Sequence, residues 1–313
     1  MNLAGTCFRL SLLGALLGGF APVARSADEF SLMTYNVMRF SYEDRDKDGQ
    51  KDNFKPAEQL AALMTLLKTN SPDVLALQEI GDAASFAILT QSVAQAGLDY
   101  PHHEYFIMPQ STVGLAVLSR FPIVGRHPID DETYSIGSEK LPVQRGFLNV
   151  DIQVNPDYRF RLLVAHLKSK LYHPLGQTEM RRNEARLLNK NVRRMLNKNP
   201  DLNLVVVGDM NDSITSAALR ELIGSPACLV DLRPKDYVND LWTHFWAYQE
   251  SYERLDYILV SAGMQAEVLD EKCRVVRDPL TYVASDHRPV VAVFKAADQP
   301  RVEPAADSSD SSR

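Results

Sequence analysis

The chain has 313 residues, 45% of them apolar and 24% charged, the balance of an ordinary globular protein with enough apolar material for a sizeable core. Its formal charge is −6. That excludes the strongly basic surface that grips nucleic acid regardless of sequence, but not a nuclease, because a carboxylate-lined metal site counts as negative until its cation joins it.

Residues 1–26 have the pattern of an export signal. Arg9 supplies a positive region, Leu10 to Phe20 an apolar run, and Ala24, Arg25 and Ser26 a peptidase site, with cleavage expected after Ser26. The run is shorter than the roughly 20 apolar residues of a membrane-spanning helix, so no stable membrane anchor is expected after cleavage. The protein is therefore expected to be exported, to a periplasm or to the cell exterior. Loss of Arg9 and Arg25 would take the charge from −6 to −8 and leave Cys228 and Cys273. In an oxidising compartment these form either a disulfide or two buried thiols.

Residues 27–297 read as one domain with no linker. Leu32 to Val37 is a strand. Pro56 to Lys68 is a helix with apolar spacing at Leu60, Leu63, Met64 and Leu67. Val74 to Gln78 is a short strand, and Ala83 to Ala96 a helix ended by Gly97. Gly114 to Ser119, Gly146 to Val154 and Phe160 to His166 are strands. Thr178 to Asn197 is a long helix with Ala185, Leu188, Val192 and Met195 on one face. Arg181, Arg182, Arg186, Arg193 and Arg194 lie on the other, expected to be a solvated face. Leu202 to Val207 is a strand, Thr215 to Ile223 a helix, and Leu255 to Val260 and Val290 to Phe294 are strands. Residues 298–313, rich in Pro, Ser, Asp and Ala, read as a disordered tail. Many apolar strands, several helices and no linker predict an α/β domain in which sheet packs on sheet and helices cover the outside.

Polar residues recur at the strand ends. Asn36 follows Met33 to Tyr35, Glu79 follows Val74 to Gln78, and His166 follows Leu162 to Ala165. Asp209 and Asn211 follow Leu204 to Gly208, Asp256 precedes Tyr257 to Val260, and Asp286 and His287 precede Arg288 to Ala292. If those ends converge, they make a pocket rich in oxygen donors with two imidazoles. Such donors suit Mg²⁺, Mn²⁺ or Ca²⁺. A zinc site would call for two or three His or Cys ligands at close spacing, and no His-x-x-x-His is present; neither a nucleophile elbow nor a phosphate-binding P-loop occurs. A metal-assisted hydrolase of phosphate esters is the expected class.

The set Thr34 to Asn36, Leu77 to Glu79, Ala165 to Ser169, Gly208 to Asn211, Arg254 to Tyr257 and Ser285 to His287 resembles the endonuclease/exonuclease/phosphatase superfamily, the group of pancreatic-type deoxyribonucleases. Order and spacing agree across roughly residues 29–296. The resemblance implies a four-layer α/β/β/α sandwich with two packed, mainly antiparallel sheets. It implies Mg²⁺ or Mn²⁺ held by Glu79, with Asn36 beside it and Asp286 as a further metal-side carboxylate. Asp209 would orient and deprotonate the attacking water, and Asn211 would donate to a phosphoryl oxygen. His287 would face the scissile phosphate with Asp256 holding its ring, and His166 would be a second active-site imidazole. Arg145 falls where the nuclease branch often has a phosphate-contacting arginine. The implied substrate is a phosphate ester, with nucleic acid the leading case.

Two features stay open in the sequence. Asp44, Asp46 and Asp48 followed by Gly49, with Asp52 near, form the first half of a calcium loop; Lys55 stands where the closing Glu would be. Structural Ca²⁺ or a solvated acidic loop both fit. Trp242, Phe245, Trp246 and Tyr248 would serve a phospholipid-cleaving, sphingomyelinase-like enzyme as a membrane hairpin, or pack in the core. An inactive binding module is disfavoured, because Glu79, Asp209, Asp256, Asp286 and His287 are all present.

Overall fold

Long apolar strands with little polar alternation are the material of sheets covered on both faces, and the chain has two such sets. The computed structural model describes residues 27–300; the expected signal at 1–26 and the tail from 301 lie outside the described residues. One sheet has the order β15 (Arg274–Val275), β16 (Val290–Lys295), β1 (Glu29–Phe40), β2 (Val74–Ile80), β4 (Gly114–Ser119) and β3 (His102–Phe106). The other has the order β11 (Val230–Asp231), β14 (Asp256–Val260), β10 (Leu204–Asp209), β9 (Tyr158–His166), β8 (Phe147–Asn155) and β5 (Ile123–Arg126). The pairs β1–β2 and β9–β10 are parallel; the others are antiparallel.

The twofold side-chain period sorts each strand between two cores. Phe30, Leu32, Val74 and Ala76 face Leu162, Val164, Val205 and Val207 in the space between the sheets. Their neighbours Met33, Tyr35, Leu75 and Leu77 point the other way, under α1 (Ala57–Asn70) and α2 (Ala83–Gln95). Leu163, Ala165, Val206 and Leu259 do the same under α3 (Gln177–Lys198) and α4 (Ala217–Ile223). The result is the four-layer sandwich. Burying one such aliphatic side chain is worth about 1.5–3 kcal/mol, so both sheets are held from two sides.

Local signals set the helix ends. Asp82 caps α2 by accepting from the Ser85 N–H at 2.9 Å. Pro56 precedes α1, and Ser71 closes it with a left-handed φ of 41°. Two hairpins, β6 (Thr133–Ile136) with β7 (Glu139–Pro142) and β12 (His244–Trp246) with β13 (Ser251–Glu253), lie outside the sheets, as do α5 (Ala262–Gln265) and α6 (Thr281–Ala284).

The structure decides the cysteine alternative and overturns one expectation. Cys228 and Cys273 are free thiols in different layers, Cys228 under the α3–α4 face and Cys273 against the inter-sheet core. Arg181 is buried rather than solvated: its Nε meets Asp212 Oδ2 at 2.8 Å and its Nη1 the Lys168 carbonyl at 3.0 Å. Asp298, at the expected start of the tail, accepts a hydrogen bond from Asn203 at 2.8 Å. Among the described residues no helix is long and apolar enough to cross a membrane.

Candidate active site

The strand registers bring the polar ends together. Parallel pairing sets His166 of β9 opposite Asp209 of β10, and antiparallel pairing sets Asp209 opposite Asp256 of β14. Gly208 makes this close approach feasible: its φ is 130°, and a Cβ there would lie 1.9 Å from the Ala165 carbonyl oxygen. From the facing sheet comes Asn36. Its Nδ2 donates to Glu79 Oε1 at 3.2 Å and to Asp209 Oδ2 at 3.1 Å, so one amide spans both sheets. Glu79 sits at a bulge where β2 slips register against β4, with φ 67°; Asn211 has φ 54°. Such left-handed residues cost on the order of 1–3 kcal/mol and cluster where geometry matters more than comfort. Asn211 is held there by its N–H on Asp209 Oδ1 at 2.8 Å and its Nδ2 on the Leu167 carbonyl at 3.0 Å.

His287 lies between two buried acids. Its Nδ1 is 2.8 Å from Asp256 Oδ2, and its Nε2 is 3.7 Å from Asp209 Oδ2 and 4.0 Å from Asp286 Oδ1. Burial alone would lower its pKa, but the charges of Asp256 and Asp209 outweigh burial and raise it to about 10. Asp209 is pushed up to about 6, first by burial, with the His287 charge opposing. His166, 3.4 Å from Asp209 Oδ2, goes the other way: burial, then Arg145, hold it well below the usual imidazole range. Burial would raise Asp286, but its His244 and His287 neighbours bring it down to about 2.

The acids divide by access. The Asp209 and Asp256 side chains are 2% and 0% exposed, whereas those of Glu79 and Asp286 are 22% and 43% exposed. Buried carboxylates orient neighbours; open ones can meet a cation. Glu79 turns a carboxylate toward the Asn36 amide, whose own Oδ1 accepts from the Met38 N–H at 3.0 Å, and carboxylate and amide oxygens of this kind suit a hard divalent cation. Several buried polar atoms also lack a hydrogen-bond partner among the described residues: His166 Nδ1, Asp256 Oδ1, Arg145 Nε and His244 Nδ1. Unsatisfied groups of this kind are rare outside functional sites. Arg145 reaches the site's edge but spends Nη1 on the Leu167 carbonyl at 2.9 Å. In the acidic loop, Asp44, Asp46 and Asp48 bring carboxylate oxygens within 4.8 Å of one another; Asp52 does not join them.

The structure adds residues that strand-end reading missed. Lys55, buried, donates to the Val37 and Met38 carbonyls at 3.0 Å each, fixing the backbone just after Asn36, and burial brings its pKa down to about 8. Arg39, next in that turn, donates its N–H to Glu79 Oε2 at 2.8 Å. Glu184 of α3, fully buried, accepts from the Gln144 and Lys168 N–H groups at 3.0 and 2.7 Å and so secures both segments flanking Arg145 and His166. His244 of β12 stands 3.8 Å from Asp286 Oδ2. The aromatic cluster is partly core and partly surface: Trp242 and Phe245 are half-buried, while Trp246 and Tyr248 are 45% and 87% exposed. A cavity of about 240 Å³ opens beside Asp286 and His287, walled by Met38, Trp242, Phe245 and Tyr282.

Two sheets that meet at carboxylates, amides and paired imidazoles place a polar site at the edge of a four-layer sandwich. The chain belongs to the Endonuclease/Exonuclease/phosphatase family, whose model matches residues 33–287. Members of this family are typically divalent-metal-dependent hydrolases of phosphoester bonds. A search of curated proteins gave no match. Among solved structures, the catalytic domain of human Nocturnin with bound sulfate superposes at TM-score 0.61 and 18% identity, covering 88% of this chain and 97% of that one. Truncated TDP2 from Caenorhabditis elegans gives 0.58 and 18%, covering 86% and 98%. Sphingomyelinase C from Streptomyces griseocarneus gives 0.58 and 18%, covering 86% and 100%. At such identity these likenesses speak for the fold.

Proposed function

We propose that this protein is an exported, Mg²⁺- or Mn²⁺-dependent phosphodiesterase of the nuclease type. The observation that carries the reading is the single constellation in which Asn36 bridges Glu79 and Asp209 while His287 lies between Asp209 and Asp256. Export rests on the Arg9 to Ser26 pattern alone. A structural Ca²⁺ at Asp44, Asp46 and Asp48 belongs to the same reading.

Glu79, Asn36 and Asp286 would hold the catalytic cation, which supplies Lewis acidity at the phosphoryl and leaving oxygens. Asp209, raised toward neutrality by burial, takes the proton of the water that attacks phosphorus. His287 presents its Nε2–H to a phosphoryl oxygen and Asp256 stabilises the imidazolium. His166, kept neutral by burial, and Asn211 complete the wall. Arg145 can meet the substrate phosphate by releasing a backbone carbonyl.

A lipid substrate is the second reading, favoured by the exposed Trp246 and Tyr248 on the β12–β13 hairpin. The deciding experiment incubates the protein with plasmid DNA, RNA, sphingomyelin and bis-p-nitrophenyl phosphate, each with Mg²⁺, Mn²⁺ or EDTA. Metal-dependent cleavage of nucleic acid is expected, abolished by EDTA. Turnover of sphingomyelin with nucleic acid intact moves the substrate to lipid, and silence on all four defeats the phosphodiesterase reading.

A further inference from the structure

Around Asp286 the donors change character. An isolated antiparallel bridge pairs His244 with His287 and sets their rings side by side, centroids 4.6 Å apart. His244 Nε2 lies 3.8 Å from Asp286 Oδ2, and His287 Nε2 lies 4.0 Å from Asp286 Oδ1. One ligand atom from each of the three residues falls within 4.8 Å of the others. The other nitrogen of His287 is fixed on Asp256 Oδ2 at 2.8 Å. A carboxylate behind an imidazole is the usual support of a metal-binding histidine, because it sets the ring orientation and leaves Nε2 outward. Asp286, at 43% side-chain exposure, leaves an entry path, and no lysine or arginine closes an ion pair on it among the described residues.

Two imidazole nitrogens and one carboxylate, with a fourth position open to water, are a borderline-soft set. They suit Zn²⁺ and its first-row neighbours far better than Mg²⁺, which prefers oxygen and keeps its waters. The all-oxygen run at Asn36 and Glu79 has the opposite preference. We propose that His244, Asp286 and His287 form a Zn²⁺-type transition-metal site beside the phosphoesterase centre, and that its occupancy inhibits the enzyme. Binding forms a metal–nitrogen bond at His287 Nε2 and sends that nitrogen's proton to solvent. It removes from the phosphate the hydrogen bond His287 would give and withdraws Asp286 from the catalytic cation. The binding claim stands on the geometry alone; the inhibition claim rests on the proposed function.

The test titrates Zn²⁺ by calorimetry into metal-stripped protein held in millimolar Mg²⁺, for wild type, His244→Gln, Asp286→Asn and Asp46→Asn. Expected is one Zn²⁺ equivalent that Mg²⁺ does not displace, weakened at least about tenfold by either of the first two substitutions and unaffected by the third. Co²⁺ should give wild type the visible d–d absorption of a four- or five-coordinate site, weakened or lost in His244→Gln; melting curves confirm that each variant is folded. On whichever diester is turned over, Zn²⁺ inhibition should weaken by a similar factor in His244→Gln. Wild type with no Mg²⁺-resistant Zn²⁺ equivalent and no Co²⁺ band overturns the proposal, even should the variants fail to fold. So does a folded His244→Gln that binds Zn²⁺ as wild type does. Zinc binding without inhibition overturns the inhibitory role.

Discussion

His287 and Arg288 are adjacent, both buried and both paired with aspartates, yet their surroundings differ in completeness. Arg288 places Nε on the Val276 carbonyl at 3.0 Å, Nη1 on the Trp242 carbonyl at 3.2 Å and Nη2 on Asp236 Oδ2 at 2.8 Å, and lies 4.1 Å from the Trp242 ring. Asp236 in turn accepts from Arg277 and from the Val238 and Asp240 N–H groups. Burial would raise Asp236, but these donors draw it down to about 2. On the His287 side, Asp256 Oδ1 and His166 Nδ1 have no partner among the described residues, and Nε2 of His287 has long contacts to Asp209 and Asp286. Successive residues of an extended segment point to opposite sides, so one face carries a closed structural ion pair and the other an open chemical one. A saturated charge network fixes shape; an unsaturated one has capacity left for a ligand.

The largest expected effect breaks the open side. His287→Ala should lower the kcat/KM of the folded enzyme by about 10²–10⁴, the span for loss of a positioned acid–base group, and also cost stability by leaving buried Asp256 without its partner. A folded fraction that keeps near wild-type turnover would mean that His287 is structural after all. Next comes the closed side. Arg288→Met leaves Asp236 with one cationic partner and should cost on the order of 3 kcal/mol of stability, read by urea denaturation, while the folded fraction keeps most of its turnover. A smaller effect sharpens the contrast at the far end of the sandwich. There buried Glu267 accepts from the Tyr158 hydroxyl, and burial lifts its pKa to about 7. The native state thus binds this proton more tightly than the unfolded chain, whose carboxyl titrates near 4.3. Stability from this group is full below that value and is lost as pH rises through 7. Glu267→Gln should flatten that slope by on the order of 2 kcal/mol between pH 5 and 8, without altering metal dependence. An unchanged slope would show that Glu267 does not titrate there.

Much of the sandwich was legible because its strands are uninterrupted apolar runs and its polar residues stand at their ends. Asn36, Glu79, His166, Asp209, Asn211, Asp256 and His287 could be picked out that way, and the registers bring them together. Short strands such as β5 and the β6–β7 hairpin carry no such run; neighbouring chain decides them. Arg181 and Glu184 show a different failure. Both fall at helical spacing with Ala185, Leu188 and Val192, the buried face of α3, so the period contained the answer while their charge pointed outward. Lys55 stood out only as a misfit in a calcium loop; its partners, the Val37 and Met38 carbonyls, are set by a turn that pattern alone does not fix. His244 has neither an acid nor an apolar strand beside it in sequence, and only the bridge to His287 gives it meaning.

The Asn36 amide is a suture. With one hand on Glu79 in its own sheet and the other on Asp209 in the facing sheet, it makes the proposed active site a property of how the two halves are seated rather than of either half. A slip of the halves by a fraction of a hydrogen-bond length would unseat Asp209 from the amide while leaving every strand ladder intact. Chemistry at the proposed site would therefore be a gauge of alignment, set to fail before the architecture does.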